Sequence, residues 1–442
     1  MIHLYEDLLI AAGMGAEAAQ TRAAAFHQVE TALRGRSVEP AHHFHVPGRI
    51  EVLGKHTDYA GGRSLVTAVE RGFCVASAPR PDGVVRLIDV GRGDEVTLSL
   101  GVASSDAAAH WAIYPAAVTR RLSRDFAPPL RGADVAFLSD LPPSSGLSSS
   151  SALLIATFEA LRHANDLDAR DDFRRTLPGP LDVAAYVGSV ETGRPFAAFE
   201  VEAGVGVAGG SQDQTAILAS EAGRLARFGF APVRAEGSAA IPRDLTFVIA
   251  VSGVVAQKSA GAREAYNLAA ARSAALLEVW RAATGRNDAT PFEAITSSES
   301  AVQDLKVALR THRSAFSGHD LEARLDQFVD ECLVLIPAAF DAMKVADLAA
   351  FGSAVDRSQL GAERGLRNQI PETMELPRMA RSLGAHAASA FGAGFGGSVW
   401  ALVDRGDARR FADDWQRTYR ARFDHPAATF FKTDAGPPLV RL

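Results

Sequence analysis

Short apolar stretches bounded by turn residues alternate with longer alanine-rich stretches along the whole chain, and this alternation limits the fold more than any other feature. Residues 84–89, 96–100, 133–138, 245–252 and 398–403 have the length and patterning of strands. Residues 6–33, 149–164, 181–191, 260–283, 299–309, 321–333 and 375–383 have those of helices. Mixing the two throughout predicts an α/β (α+β) architecture. No segment repeats at a period of roughly 20 to 50 residues, which sets solenoids aside. At 442 residues, against a prior of ~150 per domain, two closely packed domains are the simplest expectation. Residues 221–244 are punctuated by Gly223, Gly229, Pro232, Gly237 and Pro242 and lead straight into an apolar strand. The boundary is placed there, giving units of 1–230 and 231–442 with a ligand expected in the cleft between them.

Composition narrows the partners. No apolar run approaches the ~18 residues of a membrane span, and the first 36 residues carry Glu6, Asp7 and Glu17 without a basic region leading into an apolar stretch, so a secretory signal is not expected. The two cysteines, Cys74 and Cys332, lie in apolar surroundings, which supports neither a disulfide framework nor a zinc site and points to a reducing, cytoplasmic compartment. Net charge is −6 and the arginines are dispersed, so no nucleic-acid surface is expected. An acidic chain can still hold an anionic nucleotide at a site built locally from amides, a metal ion and one or two cations.

Three clusters carry the chemistry. In the first, Pro47 to Gly62, a short strand framed by glycines delivers Arg49, Lys55, His56 and Asp58 within ten residues, a polar density unsuited to a core strand. In the second, Pro142, Pro143, Ser144, Ser145, Gly146 and Leu147 lead into Ser148, Ser149, Ser150 and Ser151, which pass directly into an apolar helix. The first amides of such a helix are unpaired and sit at the positive end of its dipole, which suits phosphate oxygens. One serine would serve an ordinary N-cap better than four do, and no Gly-Lys-Ser/Thr follows, so this is not a Walker loop. In the third, Phe391, Gly392, Ala393, Gly394, Phe395, Gly396 and Gly397 match G-x-G-x-x-G. That fingerprint should open a helix, whereas Ser398 to Val403 reads as a strand, so the dinucleotide reading is rejected in favour of a glycine turn that allows close backbone approach. His42, His43 and His45 lack an acid or thiol to complete a metal set and read as strand residues.

Together, in this order, the clusters resemble the signatures of the GHMP kinases and, among them, the galactokinases. A fourth segment, Gly209 to Gln214, is similar to the family's Gly-x-x-Asp-Gln. The resemblance implies two α/β domains with the active site in their cleft, ATP over the serine loop, sugar beneath it, and transfer of the γ-phosphate to the anomeric hydroxyl of galactose or a galactose-like hexose. Residue by residue it implies Asp213 as the base and Arg49 as the cation beside it, the loop 143–151 as the phosphate cradle, and Ser150 as a magnesium ligand. Asp58 is implied to hold sugar hydroxyls, with His56, Gly210, Tyr266 and Gly394 also on the sugar side. Glu202, with Glu200 competing, lies near where relatives keep a second metal carboxylate. The implied cofactors are ATP and Mg²⁺, the implied partners a small-molecule sugar and ATP, and the implied state a monomer or homodimer.

One position departs from the family. Galactokinases carry a glutamate before the signature histidine, and here that position is Lys55. An ammonium has three donors and no acceptor, so a Lys55 facing the sugar would favour an anionic substrate such as a uronic acid. A Lys55 turned toward a neighbouring acid would leave the substrate a neutral hexose. A non-catalytic ATP and sugar sensor is the alternative of a different class, and the presence of Arg49, Ser150 and Asp213 favours an active kinase.

Overall fold

The computed structural model describes residues 2–101, 110–126, 129–143, 145–254, 260–311 and 314–442. The first half of the chain supplies β1 (His42–Leu53), β2 (Arg63–Pro79), β3 (Val84–Asp89), β4 (Asp94–Ser99), β5 (Ala133–Ser139), β6 (Arg224–Gly229) and β7 (Arg234–Ala240). The second half supplies β8 (Leu245–Val251), β9 (Ala387–Ala390), β10 (Ser398–Asp404) and β11 (Thr429–Thr433) before β12 (Val440–Arg441) returns to pair with β1. One sheet runs β12-β1-β2-β5-β3-β4, with the β6–β7 hairpin added to β2, and the other runs β11-β8-β10-β9. All pairings are antiparallel except that of β3 with β5.

The spine of the first sheet is β2. Its first residues pair with β6 and its last with β5, and almost the whole strand is buried. Burial on both faces erases the alternation that would mark a strand in sequence, and Glu70 and Arg71 interrupt its apolar run, so β2 was not among the expected strands. The helix Ser149–Ala164 packs on β1, β2 and β5 and buries Leu154, Ile155, Phe158 and Leu161 in a core that continues through Phe247 and Ile249 to Trp400. The two sheets therefore share one apolar interior. A second cluster, with Trp280, Phe292, Leu305, Leu325 and Phe328, lies among the helices of the second half, and Ala60 from the turn after β1 inserts into it.

Several expectations shift for local reasons. The helix expected over 6–33 is two, Ile2–Ala11 and Ala16–Arg34, because Gly13 adopts a left-handed conformation between them. The helix expected from 321 starts at Gly318, where the Ser317 side chain accepts from the Asp320 amide, and passes into a π-helical turn, Asp330–Leu335. The glycine- and proline-punctuated segment 221–244 is not a bare connection, since it forms the β6–β7 hairpin of the first sheet. His45 is fully buried on β1, and His43 lies 3.0 Å from Glu30. Cys74 and Cys332 are both buried as free thiols, and burial pushes each up to about 12.

Candidate active site

A cavity of about 730 Å³ opens where the clusters converge. Its first wall is the end of β1 and the turn beyond it. The β1–β2 register shifts between Pro47 and Arg49, and a Cβ on Gly48 would crowd Leu141 and the Leu147 carbonyl. Glycine there lets the serine loop lie directly on β1, where the Arg49 amide donates to the Leu147 carbonyl at 3.2 Å. Arg49 then projects inward, buried, with Nε 2.8 Å and Nη2 2.7 Å from Asp213 Oδ1, and donates to the Gly146 carbonyl. Burial works against its charge, and the carboxylates of Asp213 and Glu51 more than offset that.

The serine loop closes the same point from the other side. Ser148 sits at φ 61°, just before the helix Ser149–Ala164, and its hydroxyl donates to Asp213 Oδ2 at 2.5 Å instead of capping the helix. The amides of the helix N-terminus are thus left without a side-chain cap, as a phosphate cradle requires. Pro143, Ser145, Gly146, Ser148, Ser149 and Ser150 line the cavity. Leu147 does not: its side chain is fully buried in the core, where it anchors the loop. Ser144 lies outside the described residues.

At the far end the turn after β1 is closed by Thr57 Oγ1, which donates to the carbonyls of Gly54 and Arg63. Asp58 accepts from the amides of Tyr59 at 2.8 Å and Gln212 at 3.1 Å. Burial raises its pKa, with those two bonds opposing. A Cβ on Gly210 would collide with the Asp58 carboxylate, and one on Gly394, at φ 71°, with the Asn368 carbonyl, so both glycines are required by close approach. His56 Nδ1 lies 2.9 Å from the Tyr59 hydroxyl, and its ring centre lies 4.7 Å from that of Tyr266. Burial pushes His56 down to about 3, so the ring is neutral.

Two expected residues are not in this arrangement. Lys55 is fully buried but absent from the cavity wall: its Nζ points away and donates to Ser358 Oγ at 3.0 Å. The hypothesis of a lysine reading an anionic sugar is corrected accordingly. Glu202 is corrected as a metal ligand too, because it pairs with Arg124 at 3.0 Å outside the cavity, while Glu200 is exposed and gives Arg124 its backbone carbonyl. The second carboxylate at the serine loop, beside Asp213, is Glu191, at the end of the helix Pro180–Thr192, where it accepts from Ser151 Oγ at 3.0 Å. Ser151 Oγ also lies 3.4 Å from Asp213 Oδ2, so it bridges the two acids.

Three further features had escaped sequence reasoning. Glu51, two residues beyond Arg49 on the same strand face, is buried in the wall and accepts from Gln212 Nε2 at 2.7 Å. Burial raises its pKa, with Arg49 and Lys55 opposing. Trp111, Tyr114, Phe73 and Phe137 add an aromatic box to the cavity lining, with the Trp111 and Phe137 rings edge-on at 5.6 Å and those of Phe73 and Phe137 at 5.5 Å. The third is Asn368, whose amide donates to the Gly392 carbonyl and so fixes the third cluster.

Comparison with known proteins bears on the family and the fold. Residues 33–79 match the galactokinase galactose-binding signature, 113–221 the GHMP kinases N terminal domain, and 339–421 the GHMP kinases C terminal region. A galactokinase from Chloroflexus aggregans is 42% identical over 123 residues, covering 27% of this chain and only 31% of that relative. A galactokinase from Roseiflexus is 28% identical over 389 residues, covering 84% of this chain and 86% of the relative. In fold, Lactococcus lactis galactokinase complexed with galactose superposes with a TM-score of 0.74 at 20% identity, over 94% of this chain and 99% of that one. Methanococcus jannaschii mevalonate kinase superposes at 0.52 and 14% identity, over 89% and 98%. The chain belongs to the GHMP kinases. Within that family it is similar to the galactokinases, although it spans only about a third of the length of the Chloroflexus relative.

Proposed function

We propose that this chain transfers the γ-phosphate of ATP to the anomeric hydroxyl of galactose or a galactose-like neutral hexose. The observation that carries the reading is the Asp213 carboxylate, held by Arg49 and Ser148 between the serine loop and the polar turn of Asp58 in one cavity. Phosphoryl transfer is mostly positioning and charge stabilisation. Asp213 takes the proton of the attacking hydroxyl, and Arg49 neutralises charge growing on the transferred group. The uncapped helix amides and serine hydroxyls hold phosphate oxygens, and the aromatic box around Trp111 receives the base. Asp58, an acceptor with two oxygens, suits neighbouring sugar hydroxyls.

Glu191 and Ser150, which both line the cavity, offer hard oxygens that would fit Mg²⁺ completed by phosphate oxygens and water. Bound there, the ion would neutralise phosphate charge. The domain boundary is proposed to fall after β7, at 241–244, because β7 pairs with β6 in the first sheet. No helix among the described residues is long and apolar enough to cross a membrane, and a cytoplasmic site of action, as monomer or homodimer, is part of the same proposal.

Asp213→Ala should reduce ADP release with galactose by about 10²- to 10⁴-fold while nucleotide affinity stays within a few-fold. Retained turnover would overturn Asp213 as the base. A wild-type chain that releases no ADP with any hexose would overturn the kinase reading itself.

A further inference from the structure

His56 occupies the left-handed region, at φ 57°, which a residue with a Cβ adopts only when its surroundings hold it there. Its surroundings come from the opposite half of the chain. Arg324 donates through Nη2 to the His56 carbonyl at 2.5 Å and through Nη1 to Gln327 Oε1. Gln327 Nε2 reaches the Lys55 carbonyl at 3.5 Å. Glu331 Oε1 accepts from the Gly54 amide at 2.7 Å, from the Lys55 amide at 3.4 Å and from Ser358 Oγ at 2.9 Å. Ser358 in turn receives Lys55 Nζ. Lys55, Ser358, Glu331 and Arg324 are all at most 1% exposed. None of the four lines the cavity, whereas His56 does.

Every backbone polar group of the turn from Gly54 to His56 that these side chains touch is thus satisfied from the helices of the second half. Burying two cations and a carboxylate is unfavourable in itself, and such a network specifies one arrangement when its members are satisfied. The π-helical turn Asp330–Leu335 carries Glu331, and widened turns of this kind recur at functional sites.

We infer that Arg324, Gln327, Glu331 and Ser358, with Lys55, form a buried latch that holds the 54–56 turn and sets the placement of His56, acting as positioning residues for the sugar end of the cavity alone. This rests on the kinase reading above. The hydrogen bonds of the latch go to the backbone of the 54–56 turn, so the nucleotide end should stay as it is when the latch is disturbed.

The test is a double-mutant cycle on the full-length chain, with galactose and ATP affinities measured separately by calorimetry alongside the two KM values. Arg324→Lys keeps the charge but loses the planar fork. It should weaken galactose affinity about tenfold or more and leave ATP affinity within about twofold, as misplacement remote from the chemistry does. Glycine adopts positive φ freely, so in a His56→Gly background the same Arg324→Lys change should weaken galactose by less than about threefold. An equal loss in both backgrounds, or an equal loss of ATP affinity, would show a merely structural residue and overturn the latch. If Arg324→Lys does not fold, Ser358→Ala replaces it, with a galactose-specific loss of about threefold expected; unchanged galactose affinity there also overturns the inference. A wild-type chain that neither binds nor phosphorylates a hexose fails the kinase reading first, and the latch falls with it.

Discussion

The end of β1 and the turn that follows it each bury one cation, and the fold uses the two in opposite ways. Arg49 faces inward to a carboxylate and a carbonyl at the point where three loops meet. Lys55, six residues on, turns away from the cavity to a hydroxyl of the second half. Both belong to the same polar cluster, and both are almost fully removed from solvent. Charge and burial therefore say little about role; the side chains that the fold brings opposite each cation decide it.

The same substitution at both positions separates the roles. Arg49→Met should lower kcat for galactose by about 10³-fold, near 4 kcal/mol of transition-state stabilisation, because it removes the cation beside the transferred group and leaves Asp213 with Ser148 and Ser151. Steady-state ADP release measures it, and a loss below tenfold would make Arg49 a structural partner of Asp213 only.

Lys55→Met should have a much smaller effect. The ammonium makes one hydrogen bond, and Ser358 keeps its bond to Glu331, so replacement by an apolar chain of similar length should change stability by about 1 kcal/mol and kcat by less than about threefold. The ratio of galactose to galacturonate turnover should stay as in the wild type. A selective loss of galacturonate turnover would show that Lys55 reaches the substrate after all.

This contrast also marks what could be read in advance. The serine loop, Arg49 and Asp58 stood out by local density and Gly210 and Asp213 by the resemblance, the structure puts all of them on one cavity, and the loop enters its helix at Ser149 as the pattern implied. The direction of Lys55 was not, since its partners Ser358 and Glu331 lie about three hundred residues away along the chain. Linear spacing misled at Glu202 for a related reason. The Glu202 carboxylate, eleven positions before Asp213, pairs with Arg124 and is not among the cavity lining, whereas Glu191 on the preceding helix accepts from Ser151. Trp111 and Phe137 come from separate elements and form a box only once β5 has paired with β2 and β3.

The smallest expected effect concerns a neighbour of Arg49 on β1. Glu51 lies on the strand face of Arg49, and burial holds its pKa above the ordinary carboxylate value, with Arg49 and Lys55 acting in the opposite sense. A carboxyl whose pKa is higher folded than unfolded binds more protons in the native state. Its contribution to stability is therefore fully present below the unfolded value, about 4.3, and is lost as pH rises through the folded value. Glu51→Gln removes that term while keeping the shape and an acceptor oxygen. Urea unfolding at mildly acidic and neutral pH should show the variant gaining on the wild type as pH rises, by no more than about 1.4 kcal/mol for a folded pKa one above the unfolded value. A constant difference across that range would mean that the two buried cations near Glu51 already hold it as an ordinary carboxylate, and that Lys55, though turned away from the cavity, helps to set its charge.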